Sequence, residues 1–163
     1  MTVESLRFRQ AAGCFATGIA IVTTLAADGS RVGLTVNSFA SLSLDPPLVL
    51  FSIARTAQSF DAFAGARGFV VNVLSADQQE LSNRFAGTRD DRWAGLATAI
   101  WDTGAPVIPG CLAVLECDSH ARLDGGDHVI EVGRVRKLSF ESRGRPLLYF
   151  RGSYAALPDP ASS

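Results

Sequence analysis

The stretch that most constrains the fold is residues 33–55, G-L-T-V-N-S-F-A-S-L-S-L-D-P-P-L-V-L-F-S-I-A-R. It sets small hydroxyl and amide side chains, Thr35, Asn37, Ser38, Ser41 and Ser43, between two apolar runs. Asp45-Pro46-Pro47 breaks the chain, because proline has no N–H and a fixed φ, and 48–53 then reads as a buried strand. A polar ledge of this kind on a sheet suits a flat, hydrogen-bonding ligand with an anionic tail.

The rest of the chain carries the same strand-and-turn rhythm. A helix is expected over 5–16, with Leu6, Ala11, Ala12 and Phe15 on one face and Gly18 as the stop. Strands follow at 19–26 and 32–38 around the Asp28-Gly29 turn, then at 39–44, 48–54 and 68–74. Short helices are expected over 56–64, capped by Thr56, and over 75–85, capped by Ser75. Residues 86–109 read as a loop whose Trp93, Leu96, Ile100 and Trp101 need something to pack against. Three strands close the chain at 111–123, 128–140 and 147–154, with Gly125-Gly126 and Arg143-Gly144 as turns. Many strands with few helices, and no β-α alternation, predict a mainly β fold, a closed antiparallel barrel. One domain over 1–157 and a disordered tail at 158–163 complete the expected organisation.

Composition removes whole classes. The chain has 163 residues, 47% of them hydrophobic and 19% charged, which is enough apolar material for a core and excludes a disordered chain. The net charge is −1 and the basic residues, all arginine save Lys137, are scattered, so neither a nucleic-acid partner nor an anionic membrane surface is indicated. No apolar run is long enough to span a bilayer, and the first residues show no secretion pattern, so a cytoplasmic protein is expected. Cys14, Cys111 and Cys117 lack C-x-x-C spacing and fit free thiols. A metal site from Cys117, His120 and His128 is disfavoured, because Cys117 and His120 differ in strand parity.

The chain has no G-x-G-x-x-G, no phosphate-loop motif and no G-x-S-x-G elbow. Four constellations remain. Thr35, Asn37, Ser38 and Ser41 form either a ligand ledge or a polar edge strand. Ser52-Ile53-Ala54-Arg55-Thr56 with Ser59 forms either an anion site or a capped helix start. Arg84-Phe85 at a helix end suits either a phosphate and a ring, or a helix C-terminus and a core. Gly125-Gly126-Asp127-His128 places a histidine either at a ligand or on a solvated turn.

In this order and spacing the four segments resemble the short-chain flavin reductase family, which includes the reductase components of two-component flavin monooxygenases. The resemblance runs from F-R-Q-A-A-G-C-F-A-T-G-I at 8–19 to R-G-S-Y-A-A-L at 151–157, and takes in R-F-A-G from Arg84 and G-D-H at 126–128. It implies a split β-barrel working as a homodimer, with flavin near the subunit interface. By matching position it implies that Thr35, Val36, Asn37 and Ser38 line the isoalloxazine and ribityl region. Ser52, Ile53, Ala54 and Arg55 then continue along the flavin, with Arg55 and Ser59 toward its phosphate. Arg84 and Phe85 match a contact at the phosphate end, His128 the nicotinamide side, and Tyr154 an aromatic that closes the pocket. The activity implied is hydride transfer from NADH to FMN or FAD, supplying reduced flavin to a partner monooxygenase. NADPH stays open as donor, because arginines can admit its 2′-phosphate. A flavin-binding storage or sensor module, or another split-barrel flavin oxidoreductase, are the alternatives.

Overall fold

The buried strand expected over 48–53 forms as 47–54 and is buried on one face only: Val49, Phe51 and Ile53 point into the core, while Leu48, Leu50, Ser52 and Ala54 point the other way. The computed structural model describes residues 3–88 and 91–157, so the expected tail lies outside the described residues. In chain order the elements are α1 (Ser5–Ala12), β1 (Thr17–Gly18), β2 (Ala20–Leu25), β3 (Arg31–Val36), β4 (Ala40–Leu44), β5 (Pro47–Ala54) and α2 (Phe60–Gly65). They continue with β6 (Gly68–Val73), a 3-10 turn (Ala76–Gln78), α3 (Gln79–Ala86), β7 (Ala99–Ile100), β8 (Pro106–Val107), β9 (Ala113–Gly125), β10 (His128–Phe140), β11 (Leu148–Phe150) and β12 (Ser153–Ala155).

Seven strands make one antiparallel sheet in the order β3-β2-β6-β9-β10-β5-β4. The sheet curls around a core of Ala20, Val22, Phe51, Ile53, Phe69 and Val71, with Phe63 of α2 plugging it. Phe51 meets Phe63 and Phe69 edge-on, at centroid distances of 5.6 and 5.2 Å. Just past β3 the chain meets β5, where Ser38 Oγ accepts from Ser52 N–H at 2.9 Å and donates to the Ser52 carbonyl at 3.3 Å. This is the mainly β, split antiparallel barrel that the sequence predicts. A small sheet, β1-β11-β12, and the β7-β8 pair lie outside it.

Several boundaries differ from the sequence reading. α1 stops at Ala12, with Gly13 as its C-cap, so Cys14 stands exposed beyond the helix rather than inside it. The helix expected from Thr56 begins only at Phe60, because residues 55–59 are spent in turns: Arg55 N–H bonds the Asp127 carbonyl and Ala57 N–H the Ala54 carbonyl. Ser75 does cap, through a reciprocal box with Gln78, but the first turn it opens is 3-10. The strand expected over 147–154 folds back as the β11-β12 hairpin, turning at Arg151 (φ 50°) and Gly152 (φ 82°). The 86–109 loop packs as expected at Trp93, Leu96 and Trp101, while Ile100 remains exposed.

Candidate functional site

The seam between β3 and the segment 52–59 brings several of the predicted residues together. At one end stands the Ser38–Ser52 pair. At the other, Arg31, Val32 and Gly33 of β3 face Gln58 and Ser59 across a cleft of about 200 Å³, closed by Arg92 and Trp93. A strand rises about 3.3 Å per residue, so Gly33 to Ser38 spans roughly 16 Å, the scale of a tricyclic ring with a phosphorylated side chain. A second cleft of about 200 Å³ opens beside Thr35, Val36 and Asn37 and is walled by Ile19, Tyr149 and Tyr154.

Strand pairing delivers His128 to the seam. β10 begins at His128, whose Cα lies opposite Ala54 of β5. The two-residue turn before it, Gly126-Asp127, has Gly126 at φ 77°, the pattern of a II′ hairpin in which glycine takes the first central position. His128 Nδ1 lies 2.7 Å from Asp127 Oδ1, and that contact holds the Asp127 carboxyl below the usual carboxylate range. The imidazole is half-exposed.

Not every predicted residue presents its side chain. Val36 and Ile53 are core residues, so only their backbone faces the seam. Phe85 is fully buried with its ring edge-on to Trp93 at 4.7 Å, the core alternative weighed from the sequence. Arg84 donates to the carbonyls of Asp91 and Ala94, which fastens the 91–96 loop to α3. Thr35 donates to the Ser82 carbonyl at 2.8 Å. Tyr154 donates to Asn83 Oδ1 at 2.9 Å, with its oxygen also 2.9 Å from Ser82 Oγ, so it braces the β11-β12 hairpin on α3. Arg55 reaches away from Ser59: Nη2 lies 2.6 Å from Asp124 Oδ1 and Nε donates to the Gly126 carbonyl at 2.9 Å.

Sequence reasoning missed Arg31, Arg92 and Trp93. The Arg31 guanidinium lies 5.0 Å over the Trp93 ring, and Arg92 donates to the Gly33 carbonyl at 3.3 Å. Gly33 itself permits the arrangement, since a Cβ there would stand 2.6 Å from Phe85 Cε1. A signal existed in Arg31 and Gly33 sharing one strand face and in D-R-W at 91–93, but nothing local joins the two. The donor set suits a flavin: hydroxyls, an amide and strand backbone for the polar edge of a ring, two guanidiniums and buried Ser59 for a phosphate. Among the described residues no cluster of three His, Cys, Asp or Glu could hold a metal ion. Burial pushes the Cys111 and Cys117 thiols up to about 12, which removes both as thiolate nucleophiles.

A split antiparallel barrel with a polar seam and a histidine at its mouth defines a class, the flavin-binding split barrels. Residues 12–158 match the model of the flavin reductase like domain, and the chain belongs to that family. It is similar to the flavin-dependent monooxygenase reductase subunit HsaB of Rhodococcus jostii strain RHA1, 42% identical over 158 residues, 96% of this chain and 80% of that protein. It is also similar to FMN reductase (NADH) SmoA of Agrobacterium fabrum strain C58, 48% identical over 152 residues, 93% of this chain and 85% of that one. Among solved structures, the Streptomyces globisporus NADH:FAD oxidoreductase SgcE6 in complex with NAD and FAD fragments superposes with a TM-score of 0.91 at 31% identity, covering 99% of both chains.

Proposed function

We propose that the chain is an NADH-dependent flavin reductase that takes FMN or FAD and supplies reduced flavin to a separate monooxygenase component. It works as a homodimer in the cytoplasm. The observation that carries this is the placement of His128 across from Ala54, at the mouth of the seam formed by Asn37, Ser38 and Ser52. The relatives named as monooxygenase reductase subunits and as an NADH-dependent FMN reductase support the same reading.

Bound flavin supplies the hydride acceptor, so no protein nucleophile is needed. The backbone of residues 52–55 and the side chains of Asn37 and Ser38 orient the ring. Ser59, Arg31 and Arg92 receive the phosphate. Thr35, Tyr154 and Ser82 hold the wall of the seam rather than the ligand itself. Phe85 and Arg84 act one step back, by fixing Trp93 and the 91–96 loop. His128, its ring steadied by Asp127, orients the nicotinamide over the seam. The arginines around the cleft leave NADPH as a second donor.

NADH and NADPH oxidation measured with FMN, FAD and riboflavin tests the reading. Turnover that depends on added flavin is the expected result. Protein that binds flavin and oxidises neither donor is a storage or sensor module, and the reductase reading falls.

A further inference from the structure

We propose that Arg55 is a positioning residue for His128: its guanidinium clamps the β9-β10 turn that presents the histidine, and the flavin phosphate is left to the Arg31–Arg92–Ser59 cleft. The proposal rests on the reductase reading and assigns a division of labour among its arginines.

Three contacts run from one residue to one short turn. Arg55 Nη2 pairs with Asp124 Oδ1 at 2.6 Å, Nε donates to the Gly126 carbonyl at 2.9 Å, and the Arg55 backbone N–H donates to the Asp127 carbonyl at 2.9 Å. Asp124 is further tied to the turn by the Gly126 N–H at 3.3 Å, and the guanidinium holds its carboxyl below the usual range. The next residue along the turn, Asp127, fixes the His128 ring through Nδ1. A continuous polar chain therefore links the end of β5 to the imidazole.

The turn has little else to hold it. The Asp124 and Asp127 side chains are 79% and 92% exposed, Leu123 is exposed, and Gly125 and Gly126 bring no side chains. Backbone pairing with Gly125 and Ala54 fixes the His128 main chain, and the clamp fixes the turn that carries Asp127 beside its ring. The same geometry commits one edge of the Arg55 guanidinium to the turn and leaves a phosphate only the Nη1 side. A guanidinium grips a phosphate through a two-pronged fork, and the Nε/Nη2 fork of Arg55 is spent on the turn. Arg31 and Arg92 instead line the cleft that contains Ser59. Arg55 is about half exposed, so the ion pair alone is worth little energy. Its value is geometric, because hydride transfer is sensitive to a misplacement of about 1 Å.

Arg55→Ala and Asp124→Asn should each raise the NADH KM or slow flavin reduction roughly three- to tenfold in stopped flow. The double variant should be no worse than Arg55→Ala, since both break one clamp. Dissociation constants for FMN and for riboflavin should stay within about twofold of wild type. Amide hydrogen exchange over 124–128, read without NADH, should quicken. Arg136→Ala, which breaks the 3.0 Å pair with Asp118 lower in the same hairpin, should change none of these. A loss of FMN affinity with riboflavin binding intact, and an unchanged NADH step, makes Arg55 a phosphate ligand and overturns the proposal. An equal effect of Arg136→Ala, or unaltered exchange in the turn, overturns it as well. The wild-type trace alone judges the reductase reading: if bound flavin takes no hydride from NADH or NADPH, that reading fails whatever the variants do.

Discussion

Arg31→Ala should weaken FMN binding about tenfold and riboflavin binding hardly at all, because a charge-assisted hydrogen bond to phosphate is worth about 1.5 kcal/mol at a partly exposed site. Titration of flavin fluorescence reads both ligands, and equal losses would place Arg31 away from the phosphate. His128→Ala should leave both flavin affinities intact and impair only the step that involves NADH, with either KM raised or the reduction rate lowered by up to a hundredfold. A wild-type reduction rate in that variant would return His128 to the role of a turn residue. Residue types were readable in the sequence, but directions were read only where strand parity fixed them. The sequence reads 48–53 as a buried strand and sets Ser52, Ile53 and Ala54 together along the ligand, whereas the strand buries Ile53 and turns Ser52 and Ala54 the other way. No local pattern says that Phe85 turns inward onto Trp93, or that Arg55 reaches 69 residues along the chain to Asp124. Long flexible side chains find partners set by tertiary neighbours, and those are absent from a one-dimensional pattern.

The element most exposed to a single change is the junction of α2 with β9 and β10. Arg122 of β9 forms a two-pronged pair with Glu131 of β10, at 2.7 and 2.9 Å, and also donates to the carbonyls of Phe63 and Ala64 at the end of α2. Glu131 is buried, and desolvation raises its carboxyl above the ordinary value even against the pull of Arg122. Arg122→Ala strands that carboxylate and the α2 carbonyls together, so a loss of about 3 kcal/mol is expected in chemical denaturation at neutral pH. The sign with pH follows. A raised folded-state value favours the protonated form, so stability is retained on the acid side and lost as pH rises through that value. The deficit of Arg122→Ala should therefore shrink on acidification, and a deficit independent of pH would mean that the stranded carbonyls dominate. Element boundaries show the same division as the residues. β10 matches the expected 128–140 because an alternating run is bounded by a glycine turn. The 147–154 segment reads as one strand because Arg151-Gly152 carries no recognisable hairpin pair, Arg151 being a non-glycine residue that must take φ 50°. The sequence starts α2 at Thr56 because the competing bond, from Arg55 N–H to the Asp127 carbonyl, comes from another hairpin.

At the scale of the whole molecule, α1 is the part that one chain leaves unfinished. None of its residues is buried, and Leu6, Phe8 and the following Phe15 are 66%, 65% and 78% exposed. A helix of eight residues does not hold in water on its own propensity and needs an apolar face covered. Leu44 of β4 and Phe140 of β10 are exposed as well, at 93% and 70%. Exposed apolar side chains of this size call for cover, and a second copy is the partner that symmetry makes cheapest. The expected assembly is a homodimer in which α1 packs on the other protomer, which accounts for large apolar side chains on and just beyond the helix that find no core of their own. Phe8→Glu with Leu6→Glu should therefore shift sedimentation toward monomer at micromolar concentration, while the barrel, whose core they do not touch, keeps its strand signal in circular dichroism. If flavin is held near the interface, the same variant should bind flavin at least tenfold more weakly. A monomer that binds flavin with wild-type affinity would confine the site to one chain, and α1 would then need another explanation.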